Sequence, residues 1–231
     1  MGRPTHYSTE LATRCQRLID RLIDQVEHDA ILSQEFRGPL RTTFLLAMST
    51  PMIVLPMERL YKPVINKAGV ADDTPIDPMV KSRVQAVFDG RAFRDTPLFE
   101  DDQWAYIAET QSFPVADPWP SPVFDELDRP GSKEAASAAP MVDIVGCLRN
   151  ALAHGGVAYL DDRGRQSDDA TAMLGFASRP DGKRSALRLL RVSTDAYQRF
   201  LALWSGWLAD TGVETVLTHD GPGWFQSEEV E

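Results

Sequence analysis

Cysteine is scarce in this 231-residue chain: Cys15 and Cys147 are the only two. Both fall on apolar helical faces, which excludes a disulfide framework and reads as buried, reduced thiols in a cytoplasmic setting. The four histidines are scattered and show no zinc-ligand spacing with the cysteines, so no metal and no cofactor is expected. No apolar run reaches the roughly 20 residues that a membrane span requires. The richest one, from Phe44 towards Leu60, is broken by Pro51 and Pro56 and reads instead as a buried, kinked helix. The opening Met-Gly-Arg-Pro-Thr-His lacks the apolar core of a signal peptide. A Gly-rich phosphate loop is missing, as is any internal repeat. Positive charge is also in deficit: the net charge of −10 argues against a protein that coats nucleic acid generally.

What is present is ordinary for a globular protein, with 43% apolar and 25% charged residues. A chain of this length buries a core without disulfides. Its charge is unevenly distributed. Arg149 to Arg191 holds eight basic and five acidic residues, whereas Asp95 to Glu134 holds ten acidic and two basic. Each cluster reads equally as a solvated face.

The pattern predicts one mainly helical domain over 1–231. Residues 8–62 form a helical pair. In the first helix, Leu11, Cys15, Leu18, Ile19, Leu22, Ile23 and Val26 make the apolar stripe after a Ser8 or Thr9 cap, and His28 lies at the surface near its end. The second starts at Pro39, and Glu58 and Arg59 at its end read as solvated, with pairing to a later helix as the alternative. Residues 63–131 carry a loop over 66–78, a short helix through Val80, Val84, Val87 and Phe88, and another at Trp104, Tyr106 and Ile107. From Ser112 to Pro130 five prolines predict an irregular covering loop or partner-binding segment, with Trp119 as its anchor in the core. Residues 132–156 form one helix kinked at Pro140. Val157–Leu160, Thr171–Ser178 and Ala186–Val192 then read as a small antiparallel meander inserted before the last helix, with Arg179-Pro-Asp-Gly182 as a tight turn. The last helix occupies 193–210. Its stripe of Tyr197, Phe200, Leu201, Trp204, Trp207 and Leu208 is core or dimer surface. The tail over 211–231, with His219 and Gly221-Pro-Gly223, is expected to be loosely held.

One segment concentrates chemistry. Met141, Ile144, Val145, Leu148 and Leu152 recur at helical spacing, and Gly155-Gly156 supplies a left-handed residue to close the helix. Arg149, Asn150 and His154 fall in its last turn and a half, with Asn150 and His154 sharing a face. Arg149-Asn-Ala-Leu-Ala-His154 resembles the Arg-x4-6-His signature of the HEPN superfamily, in which a polar residue usually follows the arginine. Ser49-Thr-Pro-Met-Ile-Val-Leu-Pro-Met-Glu-Arg59 is similar to the front half of one prokaryotic HEPN group. The resemblance implies a HEPN-like helical bundle and a metal-independent endoribonuclease with Arg149, Asn150 and His154 as catalytic residues. It further implies a homodimer, built on the motif helix and the Trp-rich last helix, and a toxin or defence role restrained by an inhibitory or antitoxin protein. Several HEPN toxins carry a modifiable Tyr two residues after the His. Gly156 stands there in this chain and Tyr159 is out of register, so that form of control is not expected.

The residue types suit the chemistry. Metal-free RNA cleavage must deprotonate a 2′-hydroxyl, stabilise a phosphorane and protonate the leaving 5′-oxygen. Imidazole exchanges protons near neutral pH, and the negative end of a helix suits an imidazolium. A guanidinium offers a planar fork for two phosphate oxygens, and Asn150 orients the imidazole or donates to phosphate. A single histidine does not readily serve as both base and acid, and a two-fold dimer would bring two together. Arg163, Arg165, Lys183 and Arg184 are the candidate RNA contacts. The alternative is a non-catalytic dimeric module whose acidic 95–134 region docks a partner protein.

Overall fold

The computed structural model describes residues 7–62, 65, 78–99, 103–166, 171–180, 183 and 185–211. The expected loop over 66–78, the tail beyond Thr211, Arg184 and the centre of the Arg179–Gly182 turn therefore lie almost wholly outside the described residues. The fold is mainly helical, with a four-stranded antiparallel sheet completed just before the last long helix.

Helix α1, Glu10–Glu27, follows Thr9 and buries Ala12, Cys15, Ile19 and Ile23. The buried face is narrower than the expected stripe: Leu18 turns outward and is 44% exposed. His28 closes the helix at the surface, its Nδ1 2.8 Å from the Asp24 carbonyl oxygen. A short α2, Ala30–Glu35, is an addition. Its cap is Asp29, whose carboxylate accepts from the backbone N–H groups of Ile31 and Leu32.

Helix α3, Arg41–Pro56, starts two residues after the expected Pro39 and continues through Pro51 to Pro56. Directly after Pro56 the α pattern gives way to a π-helical turn, Met57–Tyr61. Pro56 has no N–H to offer the Met52 carbonyl, and Trp204 fills the vacancy, its Nε1 donating to that oxygen at 2.7 Å. Trp204→Phe is expected to strand the Met52 carbonyl inside the core and lower stability by about 1–3 kcal/mol. Urea unfolding should show the midpoint falling with an unchanged slope.

Helix α4, Pro78–Phe88, buries Val80, Val84, Val87 and Phe88, as its spacing predicts. The segment around Trp104 differs from expectation: it is strand β1, Trp104–Gln111, not a helix. Trp104 and Tyr106 pack with the helices, while Ala105 and Ile107 join the cluster on the other side, which is the alternation of a strand.

Pro120 then leads into α5, Ser121–Leu127, so part of the Pro-rich stretch is helical, with Pro122 in the first turn where its missing N–H costs nothing. Helix α6, Pro130–Ala138, is separate from the motif helix and not a backward extension of it. Ala139 is extended at ψ 144°, as the residue before a proline prefers, and Pro140 follows at ψ 136°. After the motif helix α7, Met141–His154, come the meander strands β2, Val157–Leu160, β3, Met173–Ser178, and β4, Ala186–Ser193. Strand β1 pairs with β4, giving the order β1-β4-β3-β2. Helix α8, Thr194–Asp210, is capped by Ser193, whose hydroxyl accepts from the Ala196 N–H at 3.2 Å.

The sheet separates two apolar clusters. Trp104, Tyr106, Leu174, Phe176, Leu190 and Val192 pack with the helices. Ala158, Leu160, Ala177, Leu187 and Leu189 pack under the 112–130 segment, with Trp119, Val123, Phe124 and Leu127. Trp119 is 3% exposed and stacks on Phe124, so it anchors that segment as expected. Gly175 lets the indole in, since a Cβ there would lie 2.7 Å from its ring. The α8 stripe is core: Tyr197, Phe200, Leu201, Trp204 and Leu208 are buried and Trp207 packs against them. Among the described residues no helix is long and apolar enough to cross a membrane. Both cysteines are buried and unpaired, and burial pushes the Cys147 thiol up to about 11.

Asp128 pins α5 to the sheet, accepting from Arg165 at 2.6 Å and from Arg191 at 2.8 Å. Burial alone would raise its pKa, but the hydrogen bonds and charges of the two arginines outweigh it and hold the carboxyl below its ordinary value. A depressed carboxyl stabilises the fold above its unfolded pKa of about 4, and that contribution is lost as the pH falls through the lower folded value. Asp128→Asn should lower the melting temperature at neutral pH. Melting curves at successively lower pH should show the gap to wild type closing below about 4.

Candidate functional site

Helix α7 buries Met141, Ile144, Val145, Cys147, Leu148 and Ala151, and this apolar face fixes its rotation against α3 and β3. Pro140 sits at the cap, directly before the first helical residue, Met141. The two terminal glycines have different tasks. Gly155 adopts the left-handed conformation at φ 72°, ψ 23°. Gly156 brings the chain against β3, where a Cβ would lie 2.3 Å from the Ala177 carbonyl oxygen. The Ala177 N–H donates to the Gly156 carbonyl at 2.7 Å and closes the junction. The polar end of the motif helix is thereby locked beside the exit of β3, at Ser178 and Arg179.

Arg149 is half-buried and lies between two partners. Its Nη1 donates to Asn150 Oδ1 and its Nη2 to the Glu58 carboxylate, which also accepts from Lys62. Glu58 is thus not merely solvated: the π-helical turn after Pro56 carries it to the motif helix. Arg59 lies with its guanidinium 5.0 Å from the centre of the Tyr7 ring. A guanidinium only donates, so Asn150 must face it with its oxygen, which leaves the amide N–H groups as donors. His154 is exposed, and no hydrogen bond or ion pair engages it among the described residues.

Two grooves of about 580 Å³ each meet here, and Arg149, Asn150 and Arg179 line both. The first runs past His154, Gly155, Gly156 and Ser178 and has an apolar wall of Val115, Ala116 and Leu187. The second is strongly charged. Lys62, Lys183 and Arg188 join the shared arginines on its lining, against Glu58, Glu109 and Asp143. Most of these charges are paired: Lys183 with Glu109, Arg188 with Asp143 at 3.2 Å, and Arg149 with Glu58.

Of the expected site residues, Arg149, Asn150 and His154 line one groove together, and Lys183 lines its neighbour. Arg163 and Arg165 do not join them. They follow the far end of β2, on the order of 13 Å of extended chain from the motif. Arg165 is engaged there with Asp128 and Asp125 and stacks on Phe124. Arg179 is the addition. In the sequence it is only the first residue of a turn, and its place beside the motif follows from the docking of Gly156 on β3. No group of three or more His, Cys, Asp or Glu residues placed to hold a metal occurs among the described residues. Compared with known protein families, curated proteins and solved structures, the chain matches none.

Proposed function

We propose that the chain is a metal-independent endoribonuclease of the HEPN type, acting at Arg149, Asn150 and His154. The observation that supports this reading is that the three side chains line a single groove, with His154 exposed and unengaged at its edge. In the proposed reaction the 2′-oxygen of the RNA loses its proton and attacks the adjacent phosphorus. The bond from phosphorus to the 5′-oxygen breaks, and that oxygen takes up a proton. The products are a 2′,3′-cyclic phosphate and a free 5′-hydroxyl. His154 exchanges one of the two protons, and its counterpart in a two-fold related subunit exchanges the other. Asn150 donates to a non-bridging oxygen. Glu58 holds the Arg149 guanidinium in place, leaving further N–H groups of its fork for the phosphorane. A toxin or defence role, restrained by a partner protein, follows from the same reading.

The engagement of Arg149 by Glu58 favours a second reading, a non-catalytic dimeric module in which this ion pair is structural. One experiment separates them: incubation of mixed RNAs with the protein in EDTA, beside His154→Ala. Cleavage by the wild type that the variant loses supports the nuclease. RNA left equally intact by both rejects it.

A further inference from the structure

Arg149 and Arg179 both border the two grooves, but their charges are not equally available. Arg149 has the Glu58 carboxylate on its fork and shares that charge with Lys62, so its field is offset only in part. Arg179 is exposed at the exit of β3, and no hydrogen bond or ion pair engages its side chain among the described residues. An approaching anion therefore finds the whole fork of Arg179 open, whereas part of the Arg149 fork is occupied by a carboxylate that repels the anion. The grooves themselves differ in kind. One offers the apolar wall of Val115, Ala116 and Leu187, and the other is lined by ion pairs. Each has the volume of a small-molecule site.

We infer that Arg179 grips a phosphodiester of single-stranded RNA on the ridge between the grooves, with one flanking nucleoside seated in each. The inference rests on the proposed RNA substrate and adds to it a binding residue and a two-nucleotide footprint. The apolar groove receives a base by contact with its flat face. The charged groove receives the neighbouring nucleotide through its sugar and base edges, as ion-paired side chains exchange partners. Arg179 contributes to binding, apart from the proton transfers assigned to His154.

The test uses the full chain and a fluorescent single-stranded RNA in which every 2′-hydroxyl is methylated, so that binding is read without cleavage. Anisotropy titrations at several salt concentrations compare wild type with Arg179→Ala, Arg179→Lys and Arg163→Ala. The last removes the same charge from an exposed turn at the far end of β2. Arg179→Ala should weaken binding roughly tenfold and reduce the slope of log K against log salt by about 0.7, the value for one single-strand phosphate. Arg179→Lys should restore the slope and Arg163→Ala should leave both quantities unchanged. Equal effects of Arg179→Ala and Arg163→Ala, or no salt-dependent binding by the wild type, overturn the inference. Unmodified RNA separates the two ideas. If it is cut while Arg179→Ala binds normally, the nuclease stands and the ridge site falls. If it is never cut while Arg179→Ala binds weakly, the reverse holds.

Discussion

His154→Ala is expected to lower the rate of RNA cleavage in EDTA by about 10²–10⁴-fold, the usual contribution of a positioned general acid or base. The size of the loss is informative because the structure gives His154 little else to do. The side chain is exposed and makes no hydrogen bond or ion pair among the described residues, so its removal leaves the α7 terminus intact. The melting temperature should stay close to that of the wild type, and affinity for the 2′-methylated RNA should change little. Loss of rate with preserved fold and preserved binding marks a group that acts on the reacting atoms. A parallel loss of rate and stability would instead make His154 part of the scaffold.

The largest expected effect on stability comes from Gly156→Ala. The added methyl would lie 2.3 Å from the Ala177 carbonyl oxygen. That oxygen belongs to the backbone of β3, and no rotamer change relieves the contact. Either β3 or the end of α7 must shift, and the hydrogen bond from the Ala177 N–H to the Gly156 carbonyl is lost with the move. Overpacking of this kind costs about 1–3 kcal/mol, to which the broken bond adds about 1 kcal/mol. Gly155→Ala provides the comparison. Its Cβ has nothing within 4 Å, and its cost is the left-handed backbone alone, about 1–2 kcal/mol. In urea unfolding Gly156→Ala should be the less stable of the two. It should also weaken binding of the 2′-methylated RNA, since Ala177 leads into Ser178 and Arg179 and a displaced β3 separates Arg179 from the motif.

The α7 motif was legible because periodicity and composition agree there: an apolar face, a glycine stop, and polar groups set between them. The three meander strands were legible for a similar reason, with β-forming runs separated by turn residues. Strand β1 reads as a helix in the sequence because a short apolar run with aromatics does not distinguish helix from strand. Its conformation is decided by pairing with β4, some eighty residues later in the chain. Helix α5 was hidden by its prolines, which signal a break when counted but which the first turn of a helix accepts.

By itself the sequence determined the local elements with strong periods, the buried thiols, the closing glycines of α7 and the grouping of Arg149, Asn150 and His154. These depend on residues within one or two turns of each other, where backbone geometry dictates which side chains are neighbours. Tertiary structure alone decided that Glu58 meets Arg149 across 91 residues of chain, that Trp204 satisfies the carbonyl freed by Pro56, and that Arg179 rather than Arg163 or Arg165 stands beside the motif. Such pairings are set by how faces pack and by which buried polar groups still need a partner. Neither is written in the spacing of any single segment.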